Sequence, residues 1–386
     1  SKGAVRSAIT GVATPITKEE FHAHLKETVA DRYLAVSTLP HEPPIPGVYY
    51  LPCELPPPTG KALEAFLAAL NPETEDDRQL LLALLLTPLW GGPCGARPAF
   101  LLSSGHGRGS GKTSTANAIA DVFGGAFRVR AKEDWEQIGK RLLGDRALNL
   151  RVLIRDNVKG KVAAEELESF ITDPEISGWR PFHGDFSRPN YMTCILTANA
   201  PRLGADMADR AVEVRIGDRR HGVPFVSWCL KFMETEGLQL LSDLRARLQE
   251  PPRGEIPSDL IDRWAEWQRA VLSRCDNPGR LAELIQDRRA DTDTDSEEAE
   301  EVADAITAYA AEKSLPTGRD GLVHVSRDQM REILIRVGLM DPSESKRYAH
   351  AVVSNMLGSH GPLSGLTDSR RKDRCWLWKP ILDIPI

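Results

Sequence analysis

The 386-residue sequence predicts an α/β fold in which helices cover a parallel sheet. Short apolar segments alternate with helical patterns between residues 97 and 217, and the first of these segments runs into a glycine-rich turn that a helical pattern follows directly. Such alternation is typical of parallel strands joined by crossover helices. The strand candidates are Ala99–Leu102, Leu150–Ile154, Met192–Thr197 and Ala211–Ile216.

The glycine-rich turn has the pattern of a nucleotide phosphate-binding loop, because it links an apolar strand to a helix at residues 113–122. Glycine lets the backbone approach phosphates closely, and the N–H groups at the helix start face the anion. We expect Lys112 to reach the β and γ phosphates and Thr113 to hold Mg2+ through its hydroxyl. The predicted cofactors are therefore ATP and Mg2+, bound by Gly105, Gly107, Gly109, Ser110, Gly111, Lys112, Thr113 and Ser114.

One position departs from the usual loop spacing. His106 stands where the motif places its first glycine. We interpret the segment as a variant, because a strand precedes it and a helix follows it as the motif requires. The alternative is a flexible loop that happens to end in Gly-Lys-Thr.

Three later residues extend this predicted site. Asp156 ends an apolar strand, as a Walker B aspartate that holds Mg2+ does; the alternative is a surface aspartate after a core strand. Asn199 follows the third strand, where a polar side chain positions the attacking water. Arg210 precedes the fourth strand, from which it would reach the nucleotide of a neighbouring subunit.

The run of residues 152–216 resembles the ATPase core of phage, plasmid and integrated-element primase-helicases, the superfamily 3 group of the AAA+ class. The resemblance covers residues 45–217 and rests on the order of several motifs. It implies an AAA+ type P-loop ATPase in which Lys112 and Thr113 are the Walker A pair, Asp156 is Walker B, Asn199 is the sensor and Arg210 is the arginine finger. It also implies a homo-oligomer, a hexameric ring, that moves 3' to 5' on single-stranded DNA in its central channel.

Two residues depart from that family's pattern. Asn157 stands where many members have a water-activating glutamate, which leaves the base unassigned, since Glu165 and Glu166 lie on the next helix. Asp209 stands where the finger has a second arginine. The candidate catalytic residues are Lys112, Asp156, Asn157, Asn199 and Arg210.

The segment Ile176–Asn190 occupies the place of the family's DNA-gripping hairpin. Its Arg180, His183 and Arg188 are the candidate contacts, since basic and aromatic residues together pair phosphates and stack bases. An ordinary capped loop over the core is the alternative.

The rest of the chain divides by composition and pattern. Residues 1–95 are predicted to be a helical collar or linker region, with helices at Lys18–Val36, Gly60–Leu70 and Glu75–Leu86 and an irregular proline-rich connection at His41–Pro58. The ATPase core is expected at residues 96–220 and a helical region at residues 221–290. The acidic run at residues 291–301 is predicted to be a solvated linker or the start of an acidic helix.

Residues 302–386 predict a winged helix-turn-helix domain. Its elements are expected at Val302–Lys313, Leu322–Val325, Arg327–Val337 after the cap Ser326, Glu344–Leu357 and Arg374–Lys379. Lys346 and Arg347 would enter a major groove, and Arg370, Arg371, Lys372 and Arg374 would contact phosphates of a duplex or fork. The alternative is a winged fold that contacts protein.

Composition narrows the function classes. With 49 basic and 55 acidic residues the chain is not a globally basic nucleic-acid binder. Six scattered cysteines without metal spacing predict thiols in a reducing compartment, so we expect a cytoplasmic location. The apolar run Leu80–Trp90 is too short to cross a bilayer, so no membrane partner is expected.

These patterns favour an ATP-dependent DNA helicase or translocase of a mobile-element or phage replication protein. The alternative is an ATP-binding switch that assembles on DNA with little hydrolysis, which Asn157 favours. A small-molecule kinase fits poorly, because no substrate lid is evident. The chain begins Ser1-Lys2-Gly3 without methionine, which suggests an excised fragment or a tag remnant. A preceding domain, such as a primase, is one expectation from that start.

Overall fold

A computed structural model of the chain defines its secondary structure and two units. It describes residues 3–6, 13–17, 19, 23, 35–104, 110–129, 133–158, 161–162, 165–180, 184–198, 202–217, 223–292, 294–315, 322–345, 349, 352–353, 363, 366–368 and 375–378. The first unit comprises residues 1–159, 164–201 and 210–288, and the second comprises residues 160–163, 202–209 and 289–386.

The strands of the described residues are numbered in chain order. They are β1 (Gly3–Arg6), β2 (Ala13–Ile16), β3 (Ala35–Ser37), β4 (Val48–Tyr50), β5 (Ala99–Ser103), β6 (Ala126–Val129), β7 (Val152–Val158), β8 (Lys161–Val162), β9 (Glu175–Arg180), β10 (Gly184–Pro189), β11 (Thr193–Ala198), β12 (Arg202–Leu203), β13 (Ala211–Arg215), β14 (Val323–Ser326), β15 (Leu366–Asp368) and β16 (Cys375–Trp378).

The α-helices are numbered in the same way. They are α1 (Lys61–Ala69), α2 (Glu75–Leu86), α3 (Lys112–Val122), α4 (Trp135–Leu142), α5 (Glu165–Thr172), α6 (Ala205–Ala208), α7 (Val223–Gln249), α8 (Ala265–Ala270), α9 (Pro278–Thr292), α10 (Thr294–Glu312) and α11 (Arg327–Arg336). Among these described residues, no helix is long and apolar enough to cross a membrane.

A five-stranded parallel sheet forms the centre of the first unit. Its strand order is β13-β5-β11-β7-β6, and every neighbouring pair is parallel. All residues of β5 and β11 are buried, as expected for central strands covered on both faces. The predicted α/β fold with a parallel sheet is thus confirmed. The four predicted strands all lie in this sheet, and the fifth, β6, is too short and too mixed in composition to have stood out.

Helices at one side of the sheet pack through aromatic side chains. The ring of Trp228 on α7 stacks on Phe232 with centroids 4.6 Å apart, and Phe66 of α1 stacks on Phe232 at 5.6 Å. Helix α2 begins after Thr74, whose side chain accepts a hydrogen bond from the Asp77 N–H, and nine of its twelve residues are buried. Two of the three helices predicted before the core therefore form, as α1 and α2.

The region before α1 contains strands that the sequence did not predict. Strands β1 and β2 form an antiparallel hairpin, and β3 pairs with β4 in parallel. Residues 35 and 36, placed in the helix Lys18–Val36, are extended, and within that helix only Glu19 and Ala23 of the described residues are helical. The proline-rich connection also includes β4, because Val48–Tyr50 is a β-branched and aromatic run that can pair.

A buried arginine ties this N-terminal segment to the sheet. The Arg151 guanidinium donates to the carbonyl oxygens of Pro40, Leu39 and Pro88 and to Ser37 Oγ, with distances of 2.8 Å to Pro40 and 3.1 Å to Pro88. His41, 6% exposed, lies beside it. Burial, with the charges of nearby arginines, lowers the pKa of His41 to about 2.

The second unit contains a three-stranded antiparallel sheet of order β14-β16-β15. Trp376 and Trp378 of β16 pack with α10 and α11 residues in its core. Ser326 caps α11 as predicted, within a full capping box with Gln329. Most of the predicted helix Glu344–Leu357 lies outside the described residues.

The described residues of the acidic run, 291, 292 and 294–301, are helical. Thr292 ends α9, and α10 begins at Thr294. Val302 and Ile306, farther along α10, are fully buried. Because this apolar face packs into a core, the helix extends back through the acidic residues, which matches the alternative of an acidic helix start.

Candidate nucleotide site

The parallel sheet brings the predicted site residues to one edge. Strands β5, β7 and β11 end at Ser103, Val158 and Ala198, and parallel strands end at the same edge of a sheet. Helix α3 follows β5 along the chain, so its first residues, Lys112 and Thr113, lie at this edge with Asp156. Such an edge is where ligands bind in open α/β sheets.

The described end of the phosphate loop has the expected backbone. Gly111 precedes α3 with φ at +88°, a left-handed conformation that favours glycine. Lys112 begins the helix and is 8% exposed, and its Nζ donates to Ser110 Oγ at 2.7 Å. Burial lowers the pKa of Lys112, and the charge of Asp156 opposes that shift. Gly105, Gly107 and Gly109, like His106, lie outside the described residues.

Asp156 contacts the helix that follows the loop. Thr113 Oγ1 donates to Asp156 Oδ1 at 2.7 Å, although the two residues are 43 positions apart. A hydroxyl and a carboxylate are the hard oxygen ligands that Mg2+ prefers. Thr113 and Asp156 therefore fit a magnesium ion, and Lys112 lies close enough to Asp156 to sense its charge. Ser114, on the same turn of α3, is partly exposed.

A second hydroxyl reaches the same carboxylate from the neighbouring strand. Thr197 Oγ1 donates to Asp156 Oδ1 at 2.5 Å and accepts the Asn157 N–H at 2.8 Å. Thr197 was not among the sequence candidates. The signal for it was present, because the threonine of the Thr-x-Asn pattern precedes Asn199 by two residues. Asn199 itself lies outside the described residues.

Asn157 adopts a left-handed backbone conformation, with φ at +53°. Few residues other than glycine take this conformation easily, and asparagine is prominent among them. Its side chain is exposed. The left-handed backbone is therefore a local structural reason for asparagine at this position.

Glu166 and Glu213 are two further acidic residues that the structure describes. Glu166 lines a surface groove with Trp135 and Ser169, and the Glu165 side chain lies outside what the structure describes. Glu213 of β13 is buried and accepts from Ser103 Oγ at 2.5 Å, just before the loop. Sequence reasoning missed Glu213, and a charged residue between two valines of a predicted strand was the available signal.

Arg210 lies at the opposite edge of the sheet. Its carbonyl oxygen accepts the N–H of Ala99, the first residue of β5, at 2.9 Å. Lys112 follows the other end of β5. Arg210 and the described end of the predicted loop, Ser110–Lys112, therefore lie at opposite ends of β5. Asp209 beside it is exposed.

The segment before the sensor strand is a β-hairpin. Strands β9 and β10 pair in antiparallel register, with Trp179 opposite Asp185. Trp179 is 56% exposed. Arg180 ends β9, but its side chain lies outside the described residues, as does all of His183.

Arg188 lies at the base of that hairpin. Its guanidinium donates to the carbonyl oxygens of Ala147 and Leu148 at 3.1 and 3.0 Å, and burial lowers its pKa to about 10. These contacts hold β10 against the turn that precedes β7. The other predicted DNA contacts, Lys346, Arg347, Arg370, Arg371, Lys372 and Arg374, lie outside the described residues.

Comparisons with known proteins find similar structures but no sequence relative. No family model and no curated protein matches this sequence. The NrS-1 C terminal region (305–718) has 10% identity over 96% of this chain and 91% of that one, with a TM-score of 0.47. The JCV helicase has 17% identity over 57% of this chain and 64% of that one, with a TM-score of 0.32.

Proposed function

We propose that this chain is an ATP-dependent DNA helicase or translocase module whose nucleotide site is completed by a neighbouring subunit. The observation that carries the proposal is the placement of the charged residues. Lys112, Thr113 and Asp156 meet at the carboxyl edge of the sheet, with Thr113 and Asp156 joined at 2.7 Å, whereas Arg210 lies at the other edge.

The sheet sets the separation between these two groups. Strand β13 runs five residues from the position after Arg210 to Arg215, which pairs with Ser103 at the end of β5. At about 3.3 Å per residue this amounts to roughly 17 Å, longer than an arginine side chain. Arg210 would therefore act on the nucleotide of another copy, in a head-to-tail contact of the kind that closes a ring.

Each residue of the site has a defined role in this proposal. Lys112 would bind the β and γ phosphates, and Thr113 and Asp156 would hold Mg2+, which neutralises phosphate charge when bound. Asn199 would orient the attacking water. Arg210 from the next subunit would stabilise the charge that develops on the transferred group, an effect that is large in enzymes of this chemistry.

DNA contacts are proposed for the β9–β10 hairpin and for the second unit. The exposed Trp179 on β9 offers a stacking surface for a base of a single strand in the channel. The second unit contains a helix capped by Ser326 and a three-stranded antiparallel sheet, and these elements support a winged-helix contact to a duplex or fork. A hexameric ring, a primase partner and a mobile-element or phage origin belong to the same proposal.

A nucleotide-dependent switch is the second candidate. Asn157 favours it, because the residue next to Asp156 cannot accept a proton from water as a glutamate does. This candidate binds ATP and assembles on DNA with negligible turnover.

The discriminating experiment measures ATP turnover with and without single-stranded DNA. The proteins are the wild type, Lys112→Ala, Arg210→Ala and an equal mixture of the two variants. Arg269→Ala, at an exposed arginine of α8, is the matched control. For the helicase module we expect DNA-stimulated turnover in the wild type and the control, and loss in each single variant.

The mixture tests the shared site directly. A site is intact where an Arg210→Ala subunit supplies the loop and a Lys112→Ala subunit supplies the arginine, which random mixing gives at about one interface in four. Turnover near a quarter of the wild type is therefore expected. Full turnover by Arg210→Ala would refute the shared site, and wild-type ATP binding without turnover would favour the switch.

A further inference from the structure

We propose that Thr197 is a positioning residue of this site, which orients the Asp156 carboxylate for metal binding and holds the left-handed backbone of Asn157. The inference rests on the proposed nucleotide-binding function. Thr197 lies on the central strand β11 and is 2% exposed, so its hydroxyl is not competing with bulk water.

The hydroxyl of Thr197 uses both of its hydrogen-bonding capacities within the site. Its O–H donates to Asp156 Oδ1 at 2.5 Å, and its oxygen accepts the Asn157 N–H at 2.8 Å. Thr113 Oγ1 donates to the same Oδ1 at 2.7 Å. Two hydroxyls from different elements thus fix one carboxylate oxygen, and Oδ2 takes part in neither bond.

The strand pairing explains why a side chain must supply this contact. Leu196 pairs with Arg155 and Ala198 pairs with Val158, so three steps on β7 face two steps on β11. This irregularity places an extra residue on β7 at Asp156 and Asn157. A bulge interrupts the backbone ladder and redirects side chains, and at this bulge the Thr197 hydroxyl accepts the Asn157 N–H at 2.8 Å.

The chemical consequence is a carboxylate with one orientation. Without the Thr197 hydroxyl, the Asn157 N–H and Asp156 Oδ1 would each lose a partner, and the carboxylate could rotate away from Thr113. Lys112 contacts Ser110 and does not depend on Thr197. The loss should therefore weaken the response to Mg2+ and spare the metal-free contacts of the nucleotide.

The test compares Thr197→Val, which keeps the shape and removes the hydroxyl, with Thr197→Ser, which keeps the hydroxyl. The probe is a fluorescent ADP analogue, titrated in EDTA and at increasing Mg2+. We expect Thr197→Val to raise the Mg2+ concentration needed for half-maximal tightening by about 5- to 30-fold, as the loss of two hydrogen bonds predicts. Metal-free affinity should stay within about twofold, and Thr197→Ser should restore the wild-type response.

Each outcome decides a different point. A wild-type Mg2+ response in Thr197→Val refutes the role of Thr197 alone. Equal losses with and without Mg2+ show a merely structural role and also refute it. A wild type that binds no nucleotide refutes the proposed function, and with it this role. If the valine variant does not fold, Thr197→Ala against Thr197→Ser gives the same comparison, since both lack the methyl group and only one has the hydroxyl.

Discussion

Replacing Asn157 by glutamate tests whether backbone conformation dictates the residue beside Asp156. The φ angle of Asn157 is +53°. The left-handed region raises the conformational free energy of an ordinary L residue by about 1–2 kcal/mol, and that of asparagine by less. The side chain is exposed, so a replacement changes little packing. The N–H that binds Thr197 is present in every variant. Asn157→Glu should therefore lower the free energy of unfolding by about 1 kcal/mol.

Unfolding in urea measures this cost across a series at one position. Asn157→Ala should match Asn157→Glu, because both place an ordinary Cβ in the left-handed region. Asn157→Gly should equal or exceed the wild type, because glycine has no Cβ, although it also loses more entropy on folding. Since a chain of two units need not unfold in one step, the four proteins are compared at the first transition.

The same variants distinguish the structural explanation from a catalytic one. We expect ATP turnover of Asn157→Glu to be no higher than that of the wild type. A glutamate variant that is as stable as the wild type, or that turns over ATP at least about tenfold faster, would refute the backbone argument. Position 157 would then mark a weakened water-activating base, in agreement with the switch.

Three further predictions concern buried groups and a helix cap. Burial lowers the pKa of His41 from 6.5 to about 2, so below pH 6.5 the unfolded chain binds a proton that the folded chain does not. The free energy of unfolding therefore falls by up to about 1.4 kcal/mol for each pH unit below 6.5. In urea unfolding between pH 6.5 and 5, His41→Gln should lack this pH dependence. The Arg288 guanidinium lies 2.6 Å from the carboxylate of Asp77, which is fully buried. Arg288→Met should therefore lower the free energy of unfolding, measured by calorimetry, by about 3–5 kcal/mol, because it leaves a buried carboxylate without its cation. Adding Asp77→Asn to that variant should restore part of the lost free energy. Ser326→Ala removes the cap that binds the Gln329 N–H, and a loss of about 1 kcal/mol is expected in thermal unfolding, with Ser326→Thr as the control that keeps a hydroxyl.

The local sequence was sufficient wherever neighbouring residues decide the structure. Gly111 takes the left-handed conformation directly before Lys112 begins α3, and Ser326 caps α11 with Gln329. Both features depend on residues only a few positions apart, so the sequence was enough to predict them. Predictions from local sequence were wrong where pairing with a distant segment decides the structure. Strand β3 pairs with β4, so residues 35 and 36 are extended although their local pattern predicted a helix. The part of the acidic run that the structure describes is helical, because α10 buries an apolar face farther along.

The sequence by itself determined which residue types the candidate site contains: a glycine-rich turn, Lys112, Thr113 and Asp156, a pattern that predicts a nucleotide and Mg2+ site. Only the tertiary structure decided how they combine. Parallel pairing of β5, β11 and β7 brings Thr113, Asp156 and Thr197 within hydrogen-bonding distance, and it leaves Arg210 at the opposite edge. A hydroxyl 41 positions from its carboxylate leaves no local pattern, because strand order and a bulge in register create the contact.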